Sequence, residues 1–309
     1  MSRPAFLALP DGACLAYELL GSKWIGQLEP IVFIGGVSSR RWDWQRLAEP
    51  LALIRPVLIF DHRGIGDSTY SPETKGDEIT IELMARDLLA LLQSLNLQEL
   101  SLCGFSMGGA VTQQLLLLPY LDENPVALPF KVTHVFLTGT FHVLWEEEGY
   151  GLKLDRTPIT APLSDEEKKV RARPSVENSF DPVWVANPAN KARFEWWLDS
   201  QIVGRPLRTI LKQSRAVSRM KLSGYEKLPP DTQLLIIHGE KDAIVPFSSG
   251  QKLLKVFPRA QFVQTGLLPG QVPDLAFGHH WWEYFAIEVW INVLELFLSS
   301  ERKERQGRL

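Results

Sequence analysis

The run Gly104-Phe105-Ser106-Met107-Gly108-Gly109 decides the fold of this 309-residue chain. It follows the short apolar segment 100–103 and precedes the helical pattern 109–118. Gly-x-Ser-x-Gly between a strand and a helix is typical of a nucleophile elbow, which exposes its serine above the carboxyl end of the strand. The turn is too tight for side chains at its flanks, which explains Gly104 and Gly108. Because a plain glycine-rich turn gives the same short pattern, the serine needs partners elsewhere in the chain.

An acid follows the serine in the chain order expected of such a site, which is serine, acid, histidine. The apolar segment 234–238 leads into a turn with Gly239, and this turn presents Asp242 at the carboxyl end of a predicted strand. Asp242 is the preferred acid, and Glu240 is the alternative. A solvated loop carboxylate would also explain this residue.

A histidine comes last, on a short loop before the final helical pattern. His279 directly follows Gly278 and is preferred to its neighbour His280. The other histidine is expected to be structural, satisfied within the aromatic cluster of Trp281 and Trp282. Ser106, Asp242 and His279 therefore form the predicted catalytic triad, because a serine hydroxyl needs a base to take its proton and the base needs an acid to orient it.

The negative oxygen formed on nucleophilic attack needs two N–H donors. One is predicted to be the backbone N–H of Met107, the residue after the nucleophile. The other is predicted in the loop 35–39, here called the oxyanion loop, with Val37 as the first choice and Gly36 as the second. Ser38 or Ser39 could add a hydroxyl, although a solvated turn serine is the simpler interpretation.

Short apolar segments alternate with helical patterns along most of the chain. In 81–95 the apolar residues recur at spacings of three and four, which is typical of an amphipathic helix. The segment 7–17, with the turn Pro10-Asp11-Gly12, predicts an antiparallel hairpin at a sheet edge. Together they predict an α/β fold with a mostly parallel central sheet flanked by helices. The buried strands are predicted at 31–34, 56–60, 100–104, 132–137 and 234–238.

The segment 142–225 breaks this alternation, since it is rich in Trp, Arg, Lys, Pro and Asn and shows no clear strand. We interpret it as a helical cap inserted between late strands, with residues 1–141 and 226–309 forming the core. Helices are predicted at 190–201 and 206–220, and a final helix from about Trp281. The predicted substrate pocket combines core and cap residues, although most cap aromatics could instead pack the cap onto the core: Phe105, Ser38, Trp145, Trp184 and Trp197.

The amino-acid composition limits the classes of partner that the protein is expected to bind. The net charge is −3, with 45% hydrophobic and 22% charged residues, which is typical of a globular protein and gives no basic surface for nucleic acid. Two cysteines, Cys14 and Cys103, cannot form a disulfide framework. Residues 1–21 lack the pattern of a secretion signal, and no stretch reaches the roughly 18 apolar residues of a membrane span. We predict a cytoplasmic protein without a membrane span; the final Gly-Arg-Leu faintly suggests a peroxisomal address as the alternative. The oligomeric state is not predicted.

These motifs together resemble the α/β-hydrolase superfamily, in its capped esterase, lactonase and haloperoxidase-like branch. The segment 61–68 is similar to the family's Asp-x-Arg-Gly-x-Gly-x-Ser run, and the resemblance implies a structural loop there in which His62 is not catalytic. The family usually carries His-Gly in the oxyanion loop, where the histidine organises the loop. This chain has Gly35-Gly36 instead, which puts the shape of the loop in question.

The nucleophile narrows the class of reaction. Epoxide hydrolases and haloalkane dehalogenases of this family use Asp at the elbow, so Ser106 argues against both. We predict a serine hydrolase, without metal or cofactor, that cleaves a carboxylic ester or lactone of a small to medium apolar substrate through an acyl-enzyme. A non-hydrolytic small-molecule receptor stays open, as do an acyltransferase and a lyase with the same triad.

Overall fold

A central sheet organises the chain, of which the computed structural model describes residues 3–72, 78–155, 157–158, 161–229 and 232–306. The described strands are β1 (Ala5–Ala8), β2 (Cys14–Leu20), β3 (Ile31–Ile34), β4 (Val57–Phe60), β5 (Glu99–Phe105), β6 (Lys131–Thr138), β7 (Gln233–Ile237) and β8 (Gln261–Phe262). They form one eight-stranded sheet in the order β1-β2-β4-β3-β5-β6-β7-β8. β1 and β2 run antiparallel at one edge, while all pairs from β4 to β8 are parallel.

The sheet confirms the predicted α/β class, the five buried strands and the edge hairpin. β8 was not predicted, because two residues are too short to show a hydrophobic pattern. The carboxyl ends of β3, β5 and β7 lie side by side or one strand apart in the sheet. The oxyanion loop, the elbow and the Asp242 turn therefore lie close together on the side of the sheet where the parallel strands end.

Helices cover both faces of the sheet. They are α1 (Gln45–Ala52), α2 (Ile81–Ser94), α3 (Met107–Leu117), α4 (Asp165–Asn178), α5 (Pro182–Ala186), α6 (Lys191–Ser200), α7 (Leu207–Arg219), α8 (Phe247–Val256) and α9 (Ile287–Gln306). The predictions for α2, α3, α6 and α7 are confirmed to within a few residues. The sequence patterns did not identify α1, α4, α5 and α8.

The last helix begins at Ile287, so the prediction of a start near Trp281 was wrong. A short 3-10 turn occupies Trp281–Glu283, and Phe285 then adopts a φ of 60°. A left-handed residue cannot continue a right-handed helix, so the chain restarts after it. The Trp290 indole N–H bonds to the Tyr284 carbonyl at 2.7 Å and fixes this break.

Each face of the sheet has its own apolar core because successive side chains of a strand point to opposite faces. Val32 and Ile34 of β3 belong to the core under α2 and α3, whereas Ile31 and Phe33 belong to the core under α1 and α9. Complete burial of a Val, Leu, Ile or Phe side chain stabilises the fold by about 1.5–3 kcal/mol. Both cores fix the strand ends that carry the site loops.

The helices α4 to α7 all lie between β6 and β7, within the segment interpreted as a cap. Phe180 and Trp197 of this segment share the second core with Trp282. Arg193 of α6 binds the Glu283 carboxylate through two N–H···O contacts of 2.9 and 2.6 Å. The division into cap and core stays a prediction.

No helix among the described residues is long and apolar enough to cross a membrane. The final Gly-Arg-Leu on which the peroxisomal alternative rests lies outside the described residues.

Candidate active site

Ser106 occupies the turn between β5 and α3 with φ 54° and ψ −123°, a conformation that a residue with a side chain rarely adopts. The neighbouring strand holds it there. The Ser106 N–H donates to the Thr138 carbonyl at 2.9 Å, and the Thr140 hydroxyl donates to the Ser106 carbonyl at 2.6 Å. Strain of this kind persists only where the surroundings fix the backbone.

The glycines around Ser106 permit close backbone contact. A Cβ on Gly104 would lie 2.4 Å from Thr112 Oγ1 and 2.7 Å from the Gly108 carbonyl oxygen. A Cβ on Gly108 would lie 2.1 Å from the carbonyl oxygen of Ile34, at the end of β3. All three distances are below any normal contact, which agrees with the tight elbow that the sequence predicts.

Asp242 and His279 are in direct contact. Asp242 Oδ2 lies 2.7 Å from His279 Nδ1, and the side chains are 1% and 4% exposed. The other oxygen, Oδ1, accepts the N–H groups of Ile244 and Val245 at 2.8 and 2.9 Å. Asp242 thus receives hydrogen bonds on both oxygens, which fixes the direction of its contact with the imidazole.

A second histidine also faces this carboxylate. His238 Nε2 lies 3.0 Å from the Val245 carbonyl and 3.4 Å from Asp242 Oδ2. Because a carbonyl only accepts, Nε2 carries the proton. Burial raises the pKa of Asp242, but the charge and hydrogen bonds of His279 and His238 outweigh burial and hold the pKa below its ordinary value. The carboxyl group is therefore ionised at neutral pH.

Ser106 and His279 line the same small cavity, whose volume is about 50 Å³. Within the described part of the chain, no hydrogen bond joins Ser106 Oγ to His279 Nε2. Such catalytic contacts often tighten only when substrate binds. Both residues are buried, at 8% and 4% exposure, and line the cavity together.

Glu240 and His280, the alternatives to Asp242 and His279, have different surroundings. Glu240 is exposed, and its backbone N–H bonds to the Leu275 carbonyl at 2.8 Å. His280 lines the cavity but stacks on Trp197, with ring centroids 4.2 Å apart. Burial lowers the pKa of His280 far below its ordinary value. Of the two adjacent histidines, the structure brings His279 to Asp242.

The predicted oxyanion donors flank the serine. Met107 is the first residue of α3, where backbone N–H groups have no partner within the helix. Val37, Ser38 and Ser39 line the cavity. Gly36 passes so close to the nucleophile that a Cβ on it would lie 2.9 Å from Ser106 Cβ.

The predicted pocket residues divide into two groups. Phe105, Ser38 and Trp197 line the cavity with Ser106. Trp145 and Trp184 lie outside its lining. Trp145 packs edge-on against Phe141, with ring centroids 5.2 Å apart, and Trp184 stacks on Phe180 at 4.1 Å. Aromatic composition could not separate lining from packing residues.

Sequence reasoning missed a buried ion pair in the cavity lining. Arg205 Nη2 lies 2.6 Å from Asp43 Oδ1, and the side chains are 3% and 7% exposed. Neither residue belongs to a motif, and they are 162 positions apart in the chain. Only the folded chain brings them together.

A second cavity of about 440 Å³ adjoins the first. It lies among α4, the start of α7 and the segment 152–155. The two cavities share Ser38, Leu152, Ser175, Gln201 and Arg205 in their linings. These shared residues place the larger cavity directly beside the one that Ser106 lines.

A known family shares this fold. The family profile described as alpha/beta hydrolase fold matches residues 29–266, so this chain belongs to the α/β-hydrolase family. The AB hydrolase superfamily protein YisY of Bacillus subtilis (strain 168) is 24% identical over 241 residues, which cover 77% of this chain and 84% of that protein.

Solved structures share the fold over nearly the whole chain. A hydrolase from Pseudomonas aeruginosa PA01 superposes with a TM-score of 0.70 at 20% identity, covering 96% of this chain and 98% of that one. The enol-lactonase from Burkholderia xenovorans LB400 gives a TM-score of 0.67 at 18% identity, covering 96% and 100%. At these identities the structural likeness establishes the fold.

Proposed function

We propose that this protein is a serine hydrolase that cleaves a carboxylic ester or lactone through an acyl-enzyme. Ser106 is the nucleophile, His279 the general base and acid, and Asp242 the residue that orients and stabilises His279. The observation that carries the proposal is the 2.7 Å contact between Asp242 Oδ2 and His279 Nδ1 beside the cavity that Ser106 lines. The family membership and the esterase and enol-lactonase names among related structures agree with it.

The proton positions follow from the contacts. An ionised Asp242 carboxylate only accepts, so His279 carries its proton on Nδ1 and presents the Nε2 lone pair. Nε2 takes the proton of Ser106 Oγ as this oxygen attacks the substrate carbonyl. The imidazolium that forms lies against the Asp242 carboxylate, which stabilises its charge.

The reaction proceeds in two stages, acylation and deacylation of Ser106. Attack forms the Ser106 Oγ–carbon bond and a negative oxygen, which the N–H groups of Met107 and Val37 bind. The tetrahedral intermediate collapses, His279 protonates the leaving oxygen, and an acyl-serine remains. Water then attacks this acyl group with His279 as base, which releases the acid and restores Ser106. In a lactone both products stay in one molecule.

The two cavities suggest how a substrate lies. The small cavity holds the reacting carbonyl and a short group, and the larger one takes the rest of the molecule. Its lining contains the apolar residues Leu152, Leu154, Leu163, Ala172, Ile202, Pro206, Leu207 and Ile210, and the cationic residues Lys153, Lys168, Arg171 and Arg205. The apolar side chains fit a small to medium substrate with an apolar body. The charged residues of the lining pair with carboxylates, as Arg171 does with Asp155 at 3.1 Å and Arg205 with Asp43 at 2.6 Å. The segment 142–225 acts as the cap that encloses it.

Labelling with a fluorophosphonate probe, followed by peptide mass mapping, tests the proposal. We expect an adduct on Ser106, and we expect Ser106→Ala to abolish both the adduct and ester hydrolysis to within a residual level, a loss of about 10³-fold or more in kcat. A folded wild-type protein that gives no adduct and no turnover would instead favour the binding-protein alternative. Product analysis with an added alcohol separates hydrolysis from acyl transfer.

A further inference from the structure

The oxyanion loop contains one residue in an unfavourable backbone conformation. Ser38 has a φ of 64°, in the left-handed region that favours glycine. The α/β-hydrolase family usually carries His-Gly in this loop, and its histidine organises the loop. This chain has Gly35-Gly36 there and so lacks that histidine. A non-glycine residue keeps such a conformation only when its surroundings impose it. Within the loop the Ser39 N–H donates to the Gly36 carbonyl at 3.2 Å, and contacts from outside the loop add to this support.

Two side chains from the segment 142–225 hold Ser38 at both of its backbone groups. The Ser38 N–H donates to Gln213 Oε1 at 2.8 Å. The Ser38 carbonyl accepts from Arg205 Nη1 at 2.5 Å. Gln213 lies on α7 and is fully buried, and Arg205 lies just before α7. The oxyanion loop is thus tied to α7 and to the segment just before it.

Both side chains have defined orientations. An N–H only donates, so the amide oxygen of Gln213 must face Ser38. Its Nε2 atom is buried and has no partner among the described residues, so the contact with Ser38 alone orients the amide. Arg205 also binds Asp43 Oδ1 at 2.6 Å and the Ser200 carbonyl at 3.1 Å.

The opposite side of the loop is held by the core. His62 Nε2 lies 3.0 Å from the Gly35 carbonyl, and because a carbonyl only accepts, Nε2 is the donor. The peptide units on both sides of the Gly36–Val37 peptide are therefore hydrogen-bonded to fixed side chains. That central peptide carries the Val37 N–H, one of the two proposed oxyanion donors.

We propose that Gln213 and Arg205 are positioning residues that aim the Val37 N–H at the oxyanion formed on Ser106. This inference rests on the proposed serine hydrolase function. Neither side chain needs to contact the reacting atoms, because each acts through the backbone of Ser38. The cap segment consequently contributes to the chemical step as well as enclosing the substrate.

The competing explanation is that both contacts only dock the segment 142–225 onto the core. The two explanations differ in what a variant changes. Loss of docking lowers stability and alters KM through the cavity walls, whereas a misdirected oxyanion donor lowers kcat. Losing one oxyanion donor reduces kcat by about 10²–10³-fold in serine hydrolases, so a loosened donor should cost about 10–100-fold.

The test compares Gln213→Met, which keeps the side-chain length but removes the acceptor, with Arg215→Met on the exposed face of the same helix. Kinetics with 4-nitrophenyl acetate should show kcat reduced about 10–100-fold in Gln213→Met with KM within about threefold, and Arg215→Met unchanged. Gln213→Glu keeps an acceptor and should recover part of the kcat. A boronic acid that forms a tetrahedral adduct on Ser106 should bind more weakly by the same factor as the loss in kcat/KM.

Unchanged kcat in a folded Gln213→Met protein, with the wild type active, would overturn the positioning role alone. An inactive wild type that takes no fluorophosphonate label would overturn the proposed function and this inference together. Should Gln213→Met fail to fold, Arg205→Lys provides the second variant, because it keeps a cation beside Asp43 but shortens the reach to Ser38. Wild-type kcat in Arg205→Lys would then overturn the positioning role.

Discussion

His280 stacks on Trp197 with their ring centroids 4.2 Å apart and an angle of 11° between the planes, while the adjacent His279 faces Asp242. Two consecutive histidines thus have different surroundings, one aromatic and one acidic. We expect His279→Ala to reduce kcat nearly as much as Ser106→Ala, and His280→Ala to reduce it by less than about 10-fold. Steady-state kinetics of both variants checks this. A larger loss of kcat in His280→Ala than in His279→Ala would show that His280, and not His279, is the base.

The carboxylate of Asp242 holds one tautomer of His279. Asp242→Asn keeps the size of the side chain but offers an amide N–H where an acceptor is needed. If the amide turns its NH₂ group to Nδ1, the imidazole is held in the wrong tautomer. We expect kcat to fall by on the order of 10⁴-fold, with the melting temperature little changed. A loss below about 10-fold would contradict the role proposed for Asp242.

Gly108 cannot carry a side chain, since a Cβ there would lie 2.1 Å from the Ile34 carbonyl oxygen. We expect Gly108→Ala to destabilise the fold by about 3 kcal/mol or more, because backbone rather than a flexible side chain blocks the space. Gly149→Ala is the matched control, with φ 89° but no atom within 4 Å, and should cost about 1 kcal/mol. Urea unfolding measures both, and equal losses would show that the elbow relaxes.

His62 gives a pH-dependent contribution to stability. Burial lowers the pKa of His62 to about 4 from 6.5, so the folded state holds this ring neutral while the unfolded state binds a proton below about pH 6.5. Its contribution is complete above about pH 6.5 and is lost as the pH falls toward 4. The loss between about pH 7 and about pH 5 should be about 2 kcal/mol.

His62→Gln tests this because its Nε2 can still donate to the Gly35 carbonyl but does not titrate. Between about pH 7 and about pH 5, we expect the unfolding free energy of the wild type to fall by about 2 kcal/mol more than that of the variant. Urea titrations at both pH values give the comparison. Parallel pH profiles would mean that His62 does not lose its proton on folding.

Under the proposed function, the small cavity limits the size of the group next to the reacting carbonyl. Val176 of α4 lines it and is 4% exposed, so Val176→Ala enlarges it. We expect kcat/KM for a butyrate ester to rise about 10-fold relative to the acetate ester. Val183→Ala, at a position that is 80% exposed in α5, is the control and should leave this ratio unchanged. An unchanged ratio in Val176→Ala would place the short group elsewhere.

The sequence by itself determined the fold class, and it predicted the chain order of the proposed site residues. Apolar segments bounded by Gly, Asp and Pro show parallel strands, because a strand buried on both faces has to be apolar throughout. The flanks of Ser106 could be interpreted because only glycine fits so tight a turn. The hairpin at Asp11 and Gly12 was predictable for the same local reason. Signals of this kind depend only on residues that are neighbours in the chain, so they can be recognised in the sequence alone.

Tertiary structure decided what depends on distant contacts. The sequence favoured His279 over His280 only because His279 directly follows Gly278, and the contact with Asp242 is what separates the two in the folded chain. The break at Phe285 and the short strand β8 likewise follow from packing rather than from pattern.

The contacts of Gln213 and Arg205 with Ser38 join residues 175 and 167 positions apart. A buried polar contact leaves no periodicity in a sequence, because it constrains one atom of each residue and not a face of an element. The sequence therefore predicts which residues can perform the chemistry. The folded chain decides which side chains hold them in place.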